Sequence, residues 1–247
     1  MRVPRIYTGQ LLRADATVEL EPGPSQHLSR VLRMKVGDGL ILFDGSGGQY
    51  PASIAAIDRK SVLATTYGFE AIECESSLRL QLGIAISRGD RMDWVVQKAT
   101  ELGVSSIAPL VTERTEVRLV GERGDKKLRH WQQIATSACE QCGRNRLPQI
   151  LPPLTLEQWL HGVQADLRLV LHPTAGSGDP GASTPASVAL LVGPEGGLGP
   201  TEIGAAEQAG FSSLQLGPRV LRTETAPLAA IAILQARWGD MGGATTG

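Results

Sequence analysis

Leu78-Arg-Leu-Gln-Leu-Gly-Ile-Ala-Ile-Ser-Arg-Gly-Asp-Arg-Met-Asp-Trp-Val-Val-Gln-Lys-Ala-Thr-Glu-Leu-Gly-Val-Ser-Ser-Ile-Ala-Pro-Leu-Val111 carries two hydrophobic periods in succession. Leu78, Leu80, Leu82, Ile84 and Ile86 alternate, as a strand with one buried face requires. From Asp90, a candidate N-cap, Met92, Val95, Val96, Ala99 and Leu102 fall on one helical face, and Gly103 ends the run. Val104–Val111 is apolar again. Strand, helix and strand at this spacing predict a βαβ unit with parallel strands and a right-handed crossover. The fold class is therefore α/β from residue 78 onward.

Downstream, Leu128, Trp131, Ile134, Ala135, Ala138 and Cys142 predict a helix over about 126–142. Thr155-Leu-Glu-Gln158 fits a capping box. Leu167–Leu171 and Val188–Val192 read as strands, and Thr174–Ser187 between them as a mobile loop. A helix from about Thr201, a strand at Leu214–Leu216, a helix from Ala226 to Trp238 and a frayed tail from Gly239 complete this part. Upstream, residues 1–70 look β-rich. Gly39–Phe43, Gln49–Ile57 and Ser61–Tyr67 are short strands separated by turn chemistry at 44–48 and 58–60, and His27–Leu32 is a helical turn. This predicts a small barrel over 1–70, a linker at 71–77 and a second domain over 78–247.

The chain has 247 residues, 42% hydrophobic and only 4% aromatic, so the core is aliphatic. It lacks a secretory h-region and any apolar run long enough to cross a bilayer, which predicts a soluble cytoplasmic protein. The net charge of −1 argues against bulk nucleic-acid binding. Residues 113–146 nevertheless hold eight Lys or Arg against five Asp or Glu: Arg114, Arg118, Arg123, Lys126, Lys127, Arg129, Arg144 and Arg146 form either a basic strip or a solvated helix face. Cys139 and Cys142 form a lone C-x-x-C inside a predicted helix. A zinc site needs four ligands, so they read as core and no metal is expected.

Two glycine-punctuated loops carry the functional signal. One lies in Val188-Ala-Leu-Leu-Val-Gly-Pro-Glu-Gly-Gly-Leu-Gly-Pro-Thr-Glu-Ile203. The other lies in Leu214-Gln-Leu-Gly-Pro-Arg-Val-Leu-Arg-Thr-Glu-Thr-Ala-Pro-Leu-Ala-Ala-Ile-Ala-Ile233. Glycines allow close backbone approach to a ligand. The first loop has no Gly-Lys-Ser/Thr, so it is not a P-loop, and Glu195 would repel phosphate. It is either a tight turn or a seat for a ligand with a positive centre. The second loop is too long and too charged for a minimal connector.

Taken together, Gly193-Pro-Glu-Gly-Gly197 and Leu216-Gly-Pro-Arg-Val-Leu-Arg-Thr-Glu-Thr225 resemble the ribosomal RNA small subunit methyltransferase E family of the SPOUT superfamily. Arg5-Ile-Tyr7, His27–Asp38, Gln97–Val104 and Glu140-Gln-Cys-Gly-Arg144 are similar to the same family. The resemblance implies a C-terminal parallel-sheet domain tied in a trefoil knot, an N-terminal PUA-like barrel, and a homodimer built on the last helix. It implies methylation of N3 of a uridine in 16S rRNA of the small ribosomal subunit, with S-adenosylmethionine as donor. The implied cofactor pocket comprises Leu171, His172 and Pro173; Gly193, Pro194, Glu195, Gly196 and Gly197; and Leu216, Gly217, Val220, Leu221, Thr223, Thr225 and Ala226. Arg5, His27, Arg30, Arg33, Arg114, Arg144 and Arg146 are implied RNA contacts.

Uridine N3 carries a proton at neutral pH, so the implied reaction needs a base or donors to the developing imide anion. Arg219 and Arg222 are the candidate donors and Glu224 the candidate base. Glu224 alternatively only complements a helix dipole. Ribose 2′-O-methylation and a non-catalytic RNA-binding or assembly role are the rival readings.

Overall fold

Leu80, Leu82 and Ile84 are fully buried, and the strand that holds them lies at the heart of a parallel sheet. The computed structural model describes residues 3–117, 119, 121–172 and 184–242. By their packing they divide into two units, Met1–Glu75 with Thr136–Leu147, and Ser76–Ala135 with Pro148–Gly247.

In the first unit β1 (Arg5–Tyr7), β2 (Thr17–Glu19), β3 (Gly39–Phe43), β4 (Tyr50–Ile57) and β5 (Val62–Thr66) form one sheet in the order β1-β3-β4-β5-β2. β1 pairs parallel to β3, and the other pairs are antiparallel. A short helix α1 (Pro22–Gln26) runs into a π-helical turn at His27–Val31, and this turn buries Leu28 against Leu40, Leu42 and Ile54. The sequence predicted the turn but not α1, β1 or β2, which are too short to show a period.

The second unit contains β6 (Arg79–Ala85), α2 (Arg91–Glu101), β7 (Ser106–Val111), β8 (Gln149–Ile150), β9 (Leu154–Thr155), α4 (Leu156–Gly162), β10 (Leu167–Leu171), β11 (Ser187–Val192), α5 (Pro200–Gln208), β12 (Ser212–Leu214) and α6 (Thr225–Trp238). The strand order is β12-β10-β11-β6-β7-β8, with β9 beside β7, and every pair is parallel. Alternation divides the side chains between two cores. Val188, Leu190 and Val192 face one with α2 and α6, while Ala189 and Leu191 face the other with α4 and α5. The result is a three-layer α/β arrangement.

Helix α3 (Glu122–Cys142) begins four residues earlier than its apolar spacing suggested, and it is divided between the units at Ala135. The sequence assigned all of 78–247 to the second domain. Thr136–Leu147 instead packs with the first. Arg144 is buried there, donating to both Glu75 carboxylate oxygens at 2.8 and 2.7 Å, and Asn145 Nδ2 donates to the Ile72 carbonyl at 2.6 Å. Burial opposes the Arg144 charge, but Glu75 outweighs it and raises the guanidinium pKa. Cys139 is also buried, and its thiol is pushed up by its bond with Cys142 and by desolvation.

The capping box at Thr155 forms, with Gln158 N donating to Thr155 Oγ1 at 3.2 Å and Thr155 N to Gln158 Oε1 at 3.0 Å. Asp90 occupies the N-cap of α2 but makes no side-chain cap bond. The expected strand at 214–216 is displaced to Ser212–Leu214, which frees Leu216 for the site described below. The loop expected at 174–187 lies mostly outside the described residues, as does the end of the expected tail. Among the described residues no helix is long and apolar enough to cross a membrane.

Gly83 on β6 shows how closely the layers meet. A Cβ there would lie 2.6 Å from the Trp159 ring of α4, which in turn packs on Phe211 at a centroid distance of 5.6 Å. Overpacking of this kind costs about 1–3 kcal/mol. Gly83→Ala is expected to lower the unfolding free energy by that amount, read as a lower urea midpoint with an unchanged slope.

Candidate active site

All strands of the second sheet run the same way, so the loops after β6, β7, β10, β11 and β12 leave at one edge. In open parallel sheets ligands bind at this carboxyl edge. Here the two glycine loops enclose a cavity of about 390 Å³, within the range of small-molecule sites.

The first loop leaves β11 at Val192. Gly197 N donates to the Pro194 carbonyl at 2.8 Å, closing a turn in which Gly197 has φ +71°. A Cβ on Gly193 would stand 2.9 Å from Leu198 Cγ and 3.0 Å from Leu198 N, so only glycine fits there. Helix α5 follows, and its Glu202 accepts from Gly199 N at 2.9 Å and from Glu113 N at 2.8 Å. That carboxylate ties the loop after β7 to the loop after β11. Arg114 Nη1 also reaches the Gly196 carbonyl. The second loop leaves β12, passes Gly217 at φ +91°, and turns into α6 through Thr225 N and Ala226 N, both donating to the Arg222 carbonyl at 2.9 Å. His172 N donates to the Leu214 carbonyl at 3.1 Å, which seats the end of β10 beside this loop.

Of the expected pocket residues, Leu171, His172, Gly193, Pro194, Glu195, Gly196, Gly197, Leu216, Gly217, Val220, Leu221, Thr223 and Ala226 line the cavity, and so does Arg219. Val192, Leu198, Ile203 and Leu214 line it too, adding apolar wall that the sequence reading missed. Thr225 is exposed at the start of α6 and does not line the cavity. Pro173 lies outside the described residues.

The charged rim contains an unforeseen residue. Arg91, the first residue of α2, donates from Nη1 to Glu195 Oε1 at 2.7 Å, and its Nε lies 3.9 Å from Glu224 Oε2. Arg91 thus connects the two glycine loops through one carboxylate on each. The available signal was topological: a βαβ reading puts the start of α2 at the same edge as every other strand end. Arg222 is exposed and Glu224 half-buried, neither lining the cavity itself.

The position of α2 is fixed by Asp93. Lys127 Nζ and Trp131 Nε1 donate to Asp93 Oδ1 at 2.9 Å, and His130 Nε2 lies 2.7 Å from Oδ2. Burial works against the carboxylate, but these partners outweigh it and hold the Asp93 pKa below its ordinary value. In Glu140, burial prevails over the Tyr7 N–H donor and the nearby His27 and Arg5, and its pKa is raised.

The expected RNA contacts separate into two kinds. His27, Arg30 and Arg33 are exposed, and Arg146 keeps a side chain 55% exposed beside Glu73. Arg144 is buried on Glu75. Arg5 is half-buried, bonding Gln49 and Asn145 with its guanidinium 5.2 Å from the Phe43 ring centre. The expectation of RNA contacts is corrected for these two, because Glu75 holds the Arg144 guanidinium and Gln49 and Asn145 hold Arg5 Nη1 and Nη2 inside the first unit. Arg114 belongs to the second unit, on the glycine loop.

A family model for the RNA methyltransferase domain matches residues 74–235, and one for the RNA methyltransferase PUA domain matches 25–67. Over 242 residues the chain is 34% identical to ribosomal RNA small subunit methyltransferase E of Buchnera aphidicola subsp. Schizaphis graminum, covering 97% of this chain and 98% of that one. The chain belongs to the ribosomal RNA small subunit methyltransferase E family. The Neisseria gonorrhoeae enzyme of that name, solved bound to S-adenosyl methionine, superposes with a TM-score of 0.92 at 39% identity over 97% of this chain and 99% of that one. A Legionella pneumophila chain solved with bound cofactor SAM gives 0.94 at 41% identity over 97% and 100%. The fold is thus the SPOUT methyltransferase type with a PUA-like N-terminal unit.

Asp93 has a testable pH signature. A folded pKa below the unfolded value of about 3.9 means that its stabilisation is complete above that value and is lost as pH falls through the folded pKa. Asp93→Asn should destabilise the protein by about 1–3 kcal/mol near neutrality. In urea unfolding the gap from the parent chain should narrow as pH falls below the unfolded carboxylate value of about 3.9.

Proposed function

We propose that this chain transfers a methyl group from S-adenosylmethionine to small-subunit ribosomal RNA, and that the acceptor is N3 of a uridine in 16S rRNA. The observation that carries the reading is the cavity at the sheet edge, walled by both glycine loops, in a chain of this family.

The residues fit the cofactor. Leu198, Ile203, Leu216, Val220 and Leu221 offer an apolar slot for an adenine ring, and the glycine backbones offer polar groups at close range. A cationic centre is compatible with Glu195 at the wall, where a phosphate is not. When bound, S-adenosylmethionine supplies an electrophilic methyl group.

The chain's own residues prepare the acceptor. Glu224 accepts the N3 proton. Arg222 and Arg219 donate to the uracil oxygens as negative charge develops there. Arg91 holds Glu195 and orients Glu224, so that the base is positioned before the substrate arrives. The first unit, with exposed His27, Arg30, Arg33 and Arg146, binds RNA, and residues 1–70 act as its PUA-like domain. Helix α6 carries apolar side chains around most of its circumference, with Ile233 51% exposed. It forms the contact of a homodimer, since such a face needs cover. The site of action is the cytoplasm.

Labelled S-adenosylmethionine with 30S subunits lacking the modification tests this reading. Nucleoside analysis should find the label as 3-methyluridine. Label on a ribose oxygen would overturn the N3 reading, and no transfer would favour a non-catalytic assembly role. Glu224→Gln should lower single-turnover transfer by about 10²–10⁴-fold with cofactor affinity retained. Full turnover in that variant would remove Glu224 as the base.

A further inference from the structure

Among the described residues, three of the cations in 113–146 are engaged by partners of their own. Arg144 is buried on Glu75, Arg114 lies on the Gly196 carbonyl, and Lys127 is held by Asp93. Arg118 lies outside the described residues. Arg123 and Lys126, near the start of α3, are exposed and have no carboxylate partner among the described residues.

These two cations line a recess of about 590 Å³, whose opposite wall is the loop after β6, Ile86–Asp90. Arg88 stands at its rim, paired with Glu116. Lys127 and His130 form part of its wall, and Asp90 is the single carboxylate among its lining residues. The recess is therefore concave and predominantly cationic, with two charges left over for a ligand. It is a separate cavity from the one between the glycine loops.

Its position gives those charges a use. β6 and β11 are parallel neighbours with Ile84 opposite Val192. The Ile86–Asp90 loop and the Gly193–Gly197 loop therefore leave the same edge side by side, since adjacent strands lie about 4.8 Å apart. Arg91, next in sequence to Asp90, bonds Glu195 across the gap. The cationic recess and the cofactor cavity thus adjoin across the Arg91–Glu195 pair.

We infer that this recess binds a backbone phosphate of the RNA strand flanking the target nucleotide, through Arg123 and Lys126, with Ser87 and Arg88 at its wall. The inference rests on the proposed RNA methylation for the identity of the strand. A single-stranded segment entering at the sheet edge presents its base to the cavity and its phosphodiester to the recess. Phosphate contacts of this kind fix register and orientation without reading sequence. The recess thereby adds a positioning site on the catalytic unit itself, independent of the exposed cations of the first unit.

The test uses the full chain and 30S subunits lacking the modification. Arg123→Ala/Lys126→Ala should weaken subunit binding roughly tenfold and flatten the log–log salt dependence by about 0.7, for one phosphate on a single strand. S-adenosylmethionine affinity and transfer at saturating subunits should be unchanged, so the loss appears in KM and not in kcat. Arg129→Ala removes a charge from the same helix outside the recess, and should leave binding and salt slope near those of the parent chain. The inference is overturned if the double variant binds with parental affinity and slope, or if Arg129→Ala weakens binding equally. It is also overturned if inorganic phosphate fills the recess while the double variant leaves subunit binding unaltered. The binding arm does not depend on catalysis. A parent chain that binds subunits but transfers no methyl group would refute the methylation reading and still decide the recess.

Discussion

The parallel pairing of β6 with β11 is the constraint on which the rest of the second unit depends. Because the two strands run together in register from Arg79 beside Ser187 to Ile84 beside Val192, their outgoing loops share one edge. The glycine loop, the Arg91 rim and the cationic recess are all placed by that pairing. It is stabilised from both sides. Val188, Leu190 and Val192 are buried under α2 and α6, while Ala189 and Leu191 are buried under α4 and α5. A one-residue slip would exchange the two faces and misplace every loop at once.

Polar locks then fix what apolar packing leaves adjustable. Asp93 holds α2 to α3, and Gln235 does the same for α6. Gln235 is fully buried, accepts from Ser76 Oγ at 2.6 Å and donates to the Leu102 carbonyl at 3.0 Å, tying α6 to the entry of β6 and the end of α2. Buried polar groups with all partners present specify one arrangement, because every alternative leaves one of them unsatisfied. The consequence for the site is rigidity at both flanks. Arg91 begins α2 and Glu224 immediately precedes α6, so the carboxylate and the guanidinium at the rim each stand on a fixed helix.

The sequence made the centre of this fold legible and left its edges obscure. β6, α2, β7 and β11 were readable because a half-buried strand or helix writes its period into the chain. β1, β2, β8 and β9 have two or three residues each and write no period. The strand read at 214–216 moved to Ser212–Leu214 because Leu216 faces the cavity and not a neighbouring strand. Most of the pocket was visible from its glycines, since a backbone that must come close to a ligand has few other options. Arg144 was misread because its partner, Glu75, is 69 positions away. A charge shows in sequence, while the carboxylate that occupies it does not. Arg91 was missed for the converse reason: an ordinary surface arginine by pattern, it becomes part of the site only through strand direction.

The central claim is that the glycine loops form the S-adenosylmethionine site, and Gly193 is the point at which it can be tested most directly. Calorimetric titration of the cofactor into the parent chain should show one saturable site per chain. Gly193→Ala places a methyl group against Leu198 Cγ and N, at 2.9 and 3.0 Å, in the loop that walls the cavity. It is predicted to weaken binding by at least about tenfold, or about 1.4 kcal/mol, with native circular dichroism retained. Parental affinity in Gly193→Ala, or no binding to the parent chain, would contradict the account.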